Sequence, residues 1–240
     1  MRVIFQPGLA VATTLGCAAL VSLGSWQLHR LAWKRDLVAK VEARLEAAPR
    51  PLGDVIGKRE EYPDPEYVPV KIAGAYRHSL TVRVFGTLDG EAGHYLFTPF
   101  NLTTPVRSRD VIYVNRGFVP QDVQFTAPLE QTAEAGQVTI EGLLRTPEKP
   151  NGIVEFIRPR NDEKANIWYV RRPSVFAKAA GIDALDVYVD SSGKEFAAEW
   201  PRGGTTRVEF PNRHLEYALT WFGLAGALLA VFGAFSIRRE

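Results

Sequence analysis

Two stretches without a charged side chain lie near opposite ends of this chain, at residues 3–28 and 217–237, and they constrain its fold more than any other feature. A helix needs roughly 20 apolar residues to cross a bilayer core, and each run is long enough. Trp26 marks one interface of the first run, and Trp221 with Phe222 lies near one end of the second. A cleaved signal peptide is the competing reading of the first run. Its positive n-region is only Arg2, however, and the apolar stretch outlasts an ordinary h-region. Leu15-Gly16-Cys17 makes a poor lipoprotein signal, because Thr14 stands where a large aliphatic residue is wanted. Both runs are therefore expected to be retained. The expected organisation is a first transmembrane helix in 1–28, an amphipathic helical stem in 29–50, a β-rich domain in 51–213, a second transmembrane helix in 214–237 and a tail, 238–240.

Charge does not orient this arrangement. Arg238 and Arg239 favour a cytoplasmic C-terminus, whereas His29, Arg30, Lys34 and Arg35 flank the first span on its domain side. The net charge of +2 and the absence of a basic block argue against nucleic-acid binding. Cys17 is the single cysteine, which excludes disulfides and multi-cysteine metal sites within one chain.

Beyond Trp26 the helical period continues through Leu31, Leu37, Val38, Val41 and Leu45, which predicts a stem ending before Pro49 and Pro51. Residues 53–65 read as a loop. From Tyr67 the period falls to two. Short strands are expected near 68–72, 80–86, 94–102, 110–119, 138–145, 167–171, 186–190 and 207–210. Ser174 is expected to cap one short helix, 175–180, that ends at Gly181, and 146–166 reads as a long surface loop. The fold class is a membrane α+β protein, with two transmembrane helices flanking a compact, mostly antiparallel β domain, a small barrel or sandwich.

No catalytic constellation stands out. His29, His78, His94 and His214 are not spaced as metal pairs, and no nucleophile elbow, phosphate loop or dinucleotide fingerprint occurs. Asp190-Ser191-Ser192-Gly193 reads as turn chemistry. Glu60, Glu61, Asp64 and Glu66 read as a solvated loop face. Asn115 and Arg116 interrupt an apolar strand. They either close a turn or pair with a carboxylate, or else form a partner-binding edge. Gly142-Leu143-Leu144-Arg145 reads the same way.

His214 stands where water gives way to lipid, and Trp221 lies on the same helical face about 10 Å deeper. The plain reading is a hydrated polar residue at a helix start. The rival is an axial haem ligand, a usual role for a neutral imidazole in a membrane helix. His214, Tyr217, Ala218, Trp221, Ala225, Leu228 and Phe232 form one stripe, and Gly223, Gly226, Ala227, Ala230 and Ala234 lie opposite. The small-residue stripe is expected to pack on the first helix, with Ala12 and Gly16 as counterparts. The His214 stripe would then face lipid or a partner, with Ala218 and Ala225 leaving room for a flat ligand.

Four motifs occur in order along essentially the whole chain: residues 24–30 (GSWQLHR), 114–120 (VNRGFVP), 141–145 (EGLLR) and 212–223 (NRHLEYALTWFG). Together they resemble the Surfeit locus protein one family. The resemblance implies a non-enzymatic assembly factor for cytochrome c oxidase. It also implies a bacterial inner membrane, with both termini cytoplasmic and the β domain periplasmic. It implies further that His214, as axial ligand to the iron, and Trp221 bind haem a and assist its insertion into oxidase subunit I. Haem A synthase and membrane lipid are the other expected partners. Arg213, Arg207 and Arg30 are expected near the haem propionates, and Tyr217 beside the ring. Phe118 departs from the family, where tryptophan commonly follows Asn-Arg-Gly. The alternative within the resemblance is a haem-free scaffold for assembly partners.

Overall fold

The computed structural model describes residues 2–3, 7–58, 60–123, 136–149, 152–194, 200–205 and 212–238. In chain order the elements are β1 (Arg2–Val3), α1 (Pro7–Leu45), β2 (Arg50–Pro51), α2 (Leu52–Gly57), β3 (Pro69–Tyr76), β4 (Val82–Leu88), β5 (Glu91–Val106) and β6 (Arg109–Pro120). They continue with β7 (Val138–Arg145), α3 (Gly152–Ile157), β8 (Ile167–Trp168), α4 (Pro173–Ala180), β9 (Tyr188–Ser191), α5 (His214–Ser236) and β10 (Ile237–Arg238). The chain divides into two compact units, Met1–Glu42 with Val208–Glu240, and Ala43–Arg207.

The first unit is a helix pair. α1 and α5 are both long and apolar enough to cross a membrane. The 39 residues of α1 rise about 58 Å, roughly twice the thickness of a bilayer core. The helices run antiparallel, since contacts climbing α1 descend α5. Gly16 meets Leu228, the Cys17 thiol donates a weak hydrogen bond to the Ala225 carbonyl, and Gln27 meets His214. At the far end β1 pairs with β10, which brings the two chain ends together. The buried seam on α5 runs through Ala218 and Ala225, with His214, Trp221, Phe222, Leu228 and Phe232 half-buried beside it. On α1, Thr13, Gly24 and Leu31 are buried and Cys17, Leu20 and Gln27 half-buried. Steps of three and four residues on both helices are the spacing of knobs packed into holes.

This packing reverses the expected assignment of faces. A side chain placed at Gly223 or Gly226 would meet nothing within 4 Å, whereas one at Gly24 would strike the Phe222 ring at 2.7 Å and one at Gly16 the Leu228 side chain at 3.0 Å. The glycines that matter for close approach are on α1, where they receive large side chains from α5. The glycine and alanine stripe of α5 faces outward, and Ala218 and Ala225 make room for the first helix rather than for a ligand. Gly24→Leu is expected to lower the thermal stability of the detergent-solubilised helix pair, by several degrees or more. Gly226→Leu is expected to leave it unchanged. The reverse ranking would restore the small-residue seam.

In the second unit, β3, β7, β9, β6 and β5 join edge to edge, and pairing of β3 with β5 closes a five-stranded barrel. Only β6 and β9 run parallel within that ring. The long strand β5 makes closure possible. Residues 91–97 pair with β4 and residues 100–102 with β3, with register shifts along its ladder to β6. Alternate residues then serve two cores, as the period of two requires. Val70, Phe100, Ile112, Val114, Ile140, Leu144 and Val189 fill the barrel, plugged by Leu52 and Val55 of α2. Tyr95, Phe97, Val111, Tyr113, Phe118 and Tyr188 point the other way, into a layer that includes Trp168 and Phe176. Phe118, the departure from the family motif, packs edge-on against Tyr95 at 5.3 Å.

Several sequence expectations shift in detail. The first helix ends at Leu45 and the chain returns through β2, so the stem is shorter than 29–50. The 53–65 loop begins with α2, and the 146–166 loop contains α3. The helix expected at 175–180 starts at Pro173, preset for a first helical turn, with Arg172 and not Ser174 in the cap position; Gly181 ends it in the left-handed region as expected. The expected strand 207–210 lies outside the described residues.

Candidate functional site

The end of the helix pair nearest the charged residues carries the most distinctive chemistry. Gln27 is the penultimate residue of the first uncharged run, and His214 opens α5 three residues before the second run begins. The antiparallel packing brings these two borders to one level. There the carboxamide oxygen Oε1 of Gln27 lies 2.7 Å from Nδ1 of His214, as the acceptor of the imidazole N–H. With the proton on Nδ1, Nε2 carries the lone pair and points away from Gln27. His214 is half-buried, and Nε2 has no hydrogen-bond partner among the described residues. An imidazole held at one nitrogen and open at the other is the arrangement that prepares a histidine for metal ligation. The carboxamide of Asn212 accepts from the His214 backbone N–H at 3.3 Å, closing a turn just ahead of the helix that carries the ring.

The other residues expected at this site distribute as follows. Trp221 is half-buried two turns below His214 on the same face. Tyr217 flanks that face and is 53% exposed. Arg213 is exposed immediately before α5. Arg30, three residues beyond Gln27, is exposed with its guanidinium 5.6 Å from the Trp26 ring and 5.3 Å from the Trp33 ring. Both arginines therefore lie at the same, polar end of the pair as His214. Arg207 lies outside the described residues. His29 turns its Nδ1 to the Ser25 carbonyl at 2.9 Å on the exposed side of α1.

Gln27 was the residue that sequence reasoning missed. It could have been found by extending the α1 seam, since steps of four and three from Thr13 through Cys17, Leu20 and Gly24 arrive at position 27. An amide at that register, at the edge of an apolar run, must face the second helix.

Asn115 and Arg116 are not a docking edge. Asn115 is 6% exposed and Arg116 is 0% exposed, so neither offers a partner any surface. The reason is that β6 is covered on both faces, by the barrel interior on one side and by the aromatic layer on the other. Asn115 donates to Asp190 Oδ1 at 2.7 Å and accepts from the Gly117 N–H at 3.2 Å. Asp190 Oδ2 accepts from Arg145 at 2.6 Å, and Arg145 Nε reaches Glu66 at 2.7 Å. Glu66 also accepts from the Thr146 N–H and hydroxyl, both at 2.6 Å. Glu66 is thus the half-buried end of a polar chain that runs inward to Asp190, and not part of a solvated loop face. Arg116 runs over the Tyr76 ring, with Nη1 3.4 Å from Nδ1 of His78.

Burial disfavours a charged Arg145, but Asp190, Tyr188 and Glu66 outweigh it and hold its pKa above the ordinary arginine value. Burial, and then Asp190, push the Tyr188 hydroxyl well up, and burial alone takes Tyr113 up to about 12. These groups keep one protonation state through the physiological range, which suits a structural clasp better than acid–base work. A polar cavity of about 290 Å³ adjoins the chain of contacts, lined by Asn115, Arg145, Asp190, Tyr95 and Arg171. Among the described residues no group of three or more His, Cys, Asp or Glu is placed to hold a metal ion.

Comparison with known proteins covers both units. A model of the SURF1 family matches residues 15–226, a span that includes Gln27, Asn115, His214 and Trp221. Surfeit locus protein 1 of Rattus norvegicus is 32% identical over 225 residues, covering 88% of this chain and 70% of the relative. The Homo sapiens protein of that name is 32% identical over 221 residues, covering 85% and 70%. A SURF1-like protein of Monosiga brevicollis is 32% identical over 225 residues, covering 88% and 80%. With the match extending from the first helix through the barrel to the second, this chain belongs to the SURF1 family.

Proposed function

We propose that this protein is an assembly factor for cytochrome c oxidase that receives haem a as cargo at the membrane surface and assists its insertion into subunit I. The observation that supports the reading is the His214–Gln27 pair, with Nδ1 committed to the carboxamide and Nε2 open at the border of both apolar runs. The donor set fits the cargo. A neutral imidazole suits haem iron, and Arg213 and Arg30 lie at the end where propionates would seek water and cations. Trp221 would bound the apolar edge of the macrocycle, with Tyr217 beside it, and membrane lipid would take the farnesyl tail. The setting proposed is a bacterial inner membrane, crossed twice, with both termini cytoplasmic and the β domain periplasmic. Haem A synthase is the proposed donor.

The test is an absorption spectrum of the full-length protein purified from cells that co-produce haem a, wild type beside His214→Ala. A haem band in the wild type that is lost in the folded variant is the expected result. A band that survives His214→Ala would move the ligand elsewhere. No band in either, with haem a available, would favour the haem-free scaffold. Substitutions at Asn115 or Arg116 do not separate the two readings, because both side chains are buried and their loss would destabilise the barrel under either one.

A further inference from the structure

We infer that Gln27 is the positioning residue for His214, one that fixes which imidazole nitrogen meets iron and keeps the resulting bond weak enough for haem to be passed on. The inference rests on the haem reading above and adds a residue from the other helix to it.

Three observations carry it. First, the contact is short and directed, 2.7 Å from Oε1 to Nδ1, between half-buried side chains where water competes poorly. Second, it is a hydrogen bond between two side chains in a seam that is otherwise mostly apolar or small, at Gly16, Cys17, Gly24, Ala218 and Ala225, where the Cys17 thiol adds only a weak bond to the Ala225 carbonyl. Without an acceptor, the ring could rotate or hold its proton on either nitrogen. With Gln27 in place the proton stays on Nδ1 and Nε2 is the ligand. Third, the acceptor is neutral. A carboxylate there would draw the Nδ1 proton toward itself, give the imidazole anionic character and strengthen its bond to iron, as second-shell carboxylates do at metal sites. A carboxamide orients the ring without that push. For a protein that must release its cargo, this is the useful choice, and the side chain of Glu is almost the same size, so the neutrality of position 27 is a chemical rather than a steric matter.

The experiment compares wild type, Gln27→Glu, Gln27→Leu and His214→Ala, each full-length and purified from cells co-producing haem a. Two quantities are read, the reduction potential of the bound haem and its rate of loss to excess apomyoglobin. Gln27→Glu is expected to make the potential more negative and slow haem loss by roughly tenfold. Gln27→Leu is expected to speed haem loss by roughly 10–100-fold, the usual cost of losing an outer partner of a metal ligand. Opposite signs for the two variants are the signature of positioning, since a clamp that merely held the helices together would weaken in both. Should Gln27→Leu fail to insert, the Glu variant still decides the matter through its potential. Wild-type behaviour in both variants, or a shift of the same sign in both, with a band that still requires His214, would overturn the role of Gln27 and leave the haem reading standing. A wild-type protein without a His214-dependent band would overturn both.

Discussion

Asp190→Ala is expected to destabilise the β domain by about 3–5 kcal/mol, the cost of removing one partner from a buried ion pair. Asp190 is 4% exposed and takes Asn115 on one oxygen and Arg145 on the other. Its loss leaves a guanidinium and a carboxamide facing each other across an interior space, with Glu66 alone to balance the Arg145 charge. The three strands that meet there would be affected together, because Asp190 lies opposite Asn115 on β6 and Leu143 on β7. At roughly 2–4 °C per kcal/mol for a domain of this size, the melting temperature should fall by roughly 6–20 °C. Thermal unfolding of the full-length protein in detergent, followed by near-ultraviolet circular dichroism, measures it. The double variant Asp190→Leu with Arg145→Met should recover part of the loss, because the unpaired guanidinium is then gone while Glu66 keeps its two bonds from Thr146. A single variant that melts with the wild type would show that the clasp contributes nothing net.

The same cluster shows where sequence reading succeeds and where it stops. Strand positions were legible because alternation survives wherever one face of a strand is buried, as in β3 and β7. It fails on β6, where residues 111–120 are buried without interruption and the period disappears. On such a strand Asn115 and Arg116 look like an exposed interruption, because polar residues normally mark a wet face. Their partners are far away in sequence: Asn115 bonds Asp190 on β9, which is itself held by Arg145 of β7, and Arg116 meets Tyr76 and His78. Nothing local announces that pairing.

The helix pair divides in the same way. The two apolar runs could be read directly, and so could His214 at their border. The inward face of α5 could not be read from composition, since both of its stripes contain small residues. What decides the matter is the partner. Gly16 and Gly24 on α1 receive Leu228 and Phe222, and that choice turns His214 toward Gln27. A stripe is a property of one helix, whereas a seam belongs to two.

The Asn-Arg-Gly motif also yields the second large effect, at its last residue. Gly117→Ala is expected to cost about 2–6 kcal/mol, from two independent causes. The backbone there has φ +129°, a conformation that an L side chain adopts only under strain of about 1–3 kcal/mol. A Cβ would also stand 2.2 Å from the Arg202 carbonyl oxygen and 2.6 Å from the Gly203 nitrogen. Those atoms are backbone, and the strand holds them by two hydrogen bonds between Phe118 and Arg202, at 3.1 and 2.9 Å. No rotamer can yield, so the segment must move or the bonds must break, for about 1–3 kcal/mol more. Gly53→Ala in α2 is the control. Its Cβ would meet only Val106, at 3.9 Å, and helix propensity should make it neutral or stabilising by about 0.5–1 kcal/mol. If the two alanine variants denature at the same urea concentration, the close approach at Gly117 does not govern stability. If Gly117→Ala alone unfolds early, the glycine of the motif is explained by the chain that crosses it, and no ligand or partner need be invoked for its presence.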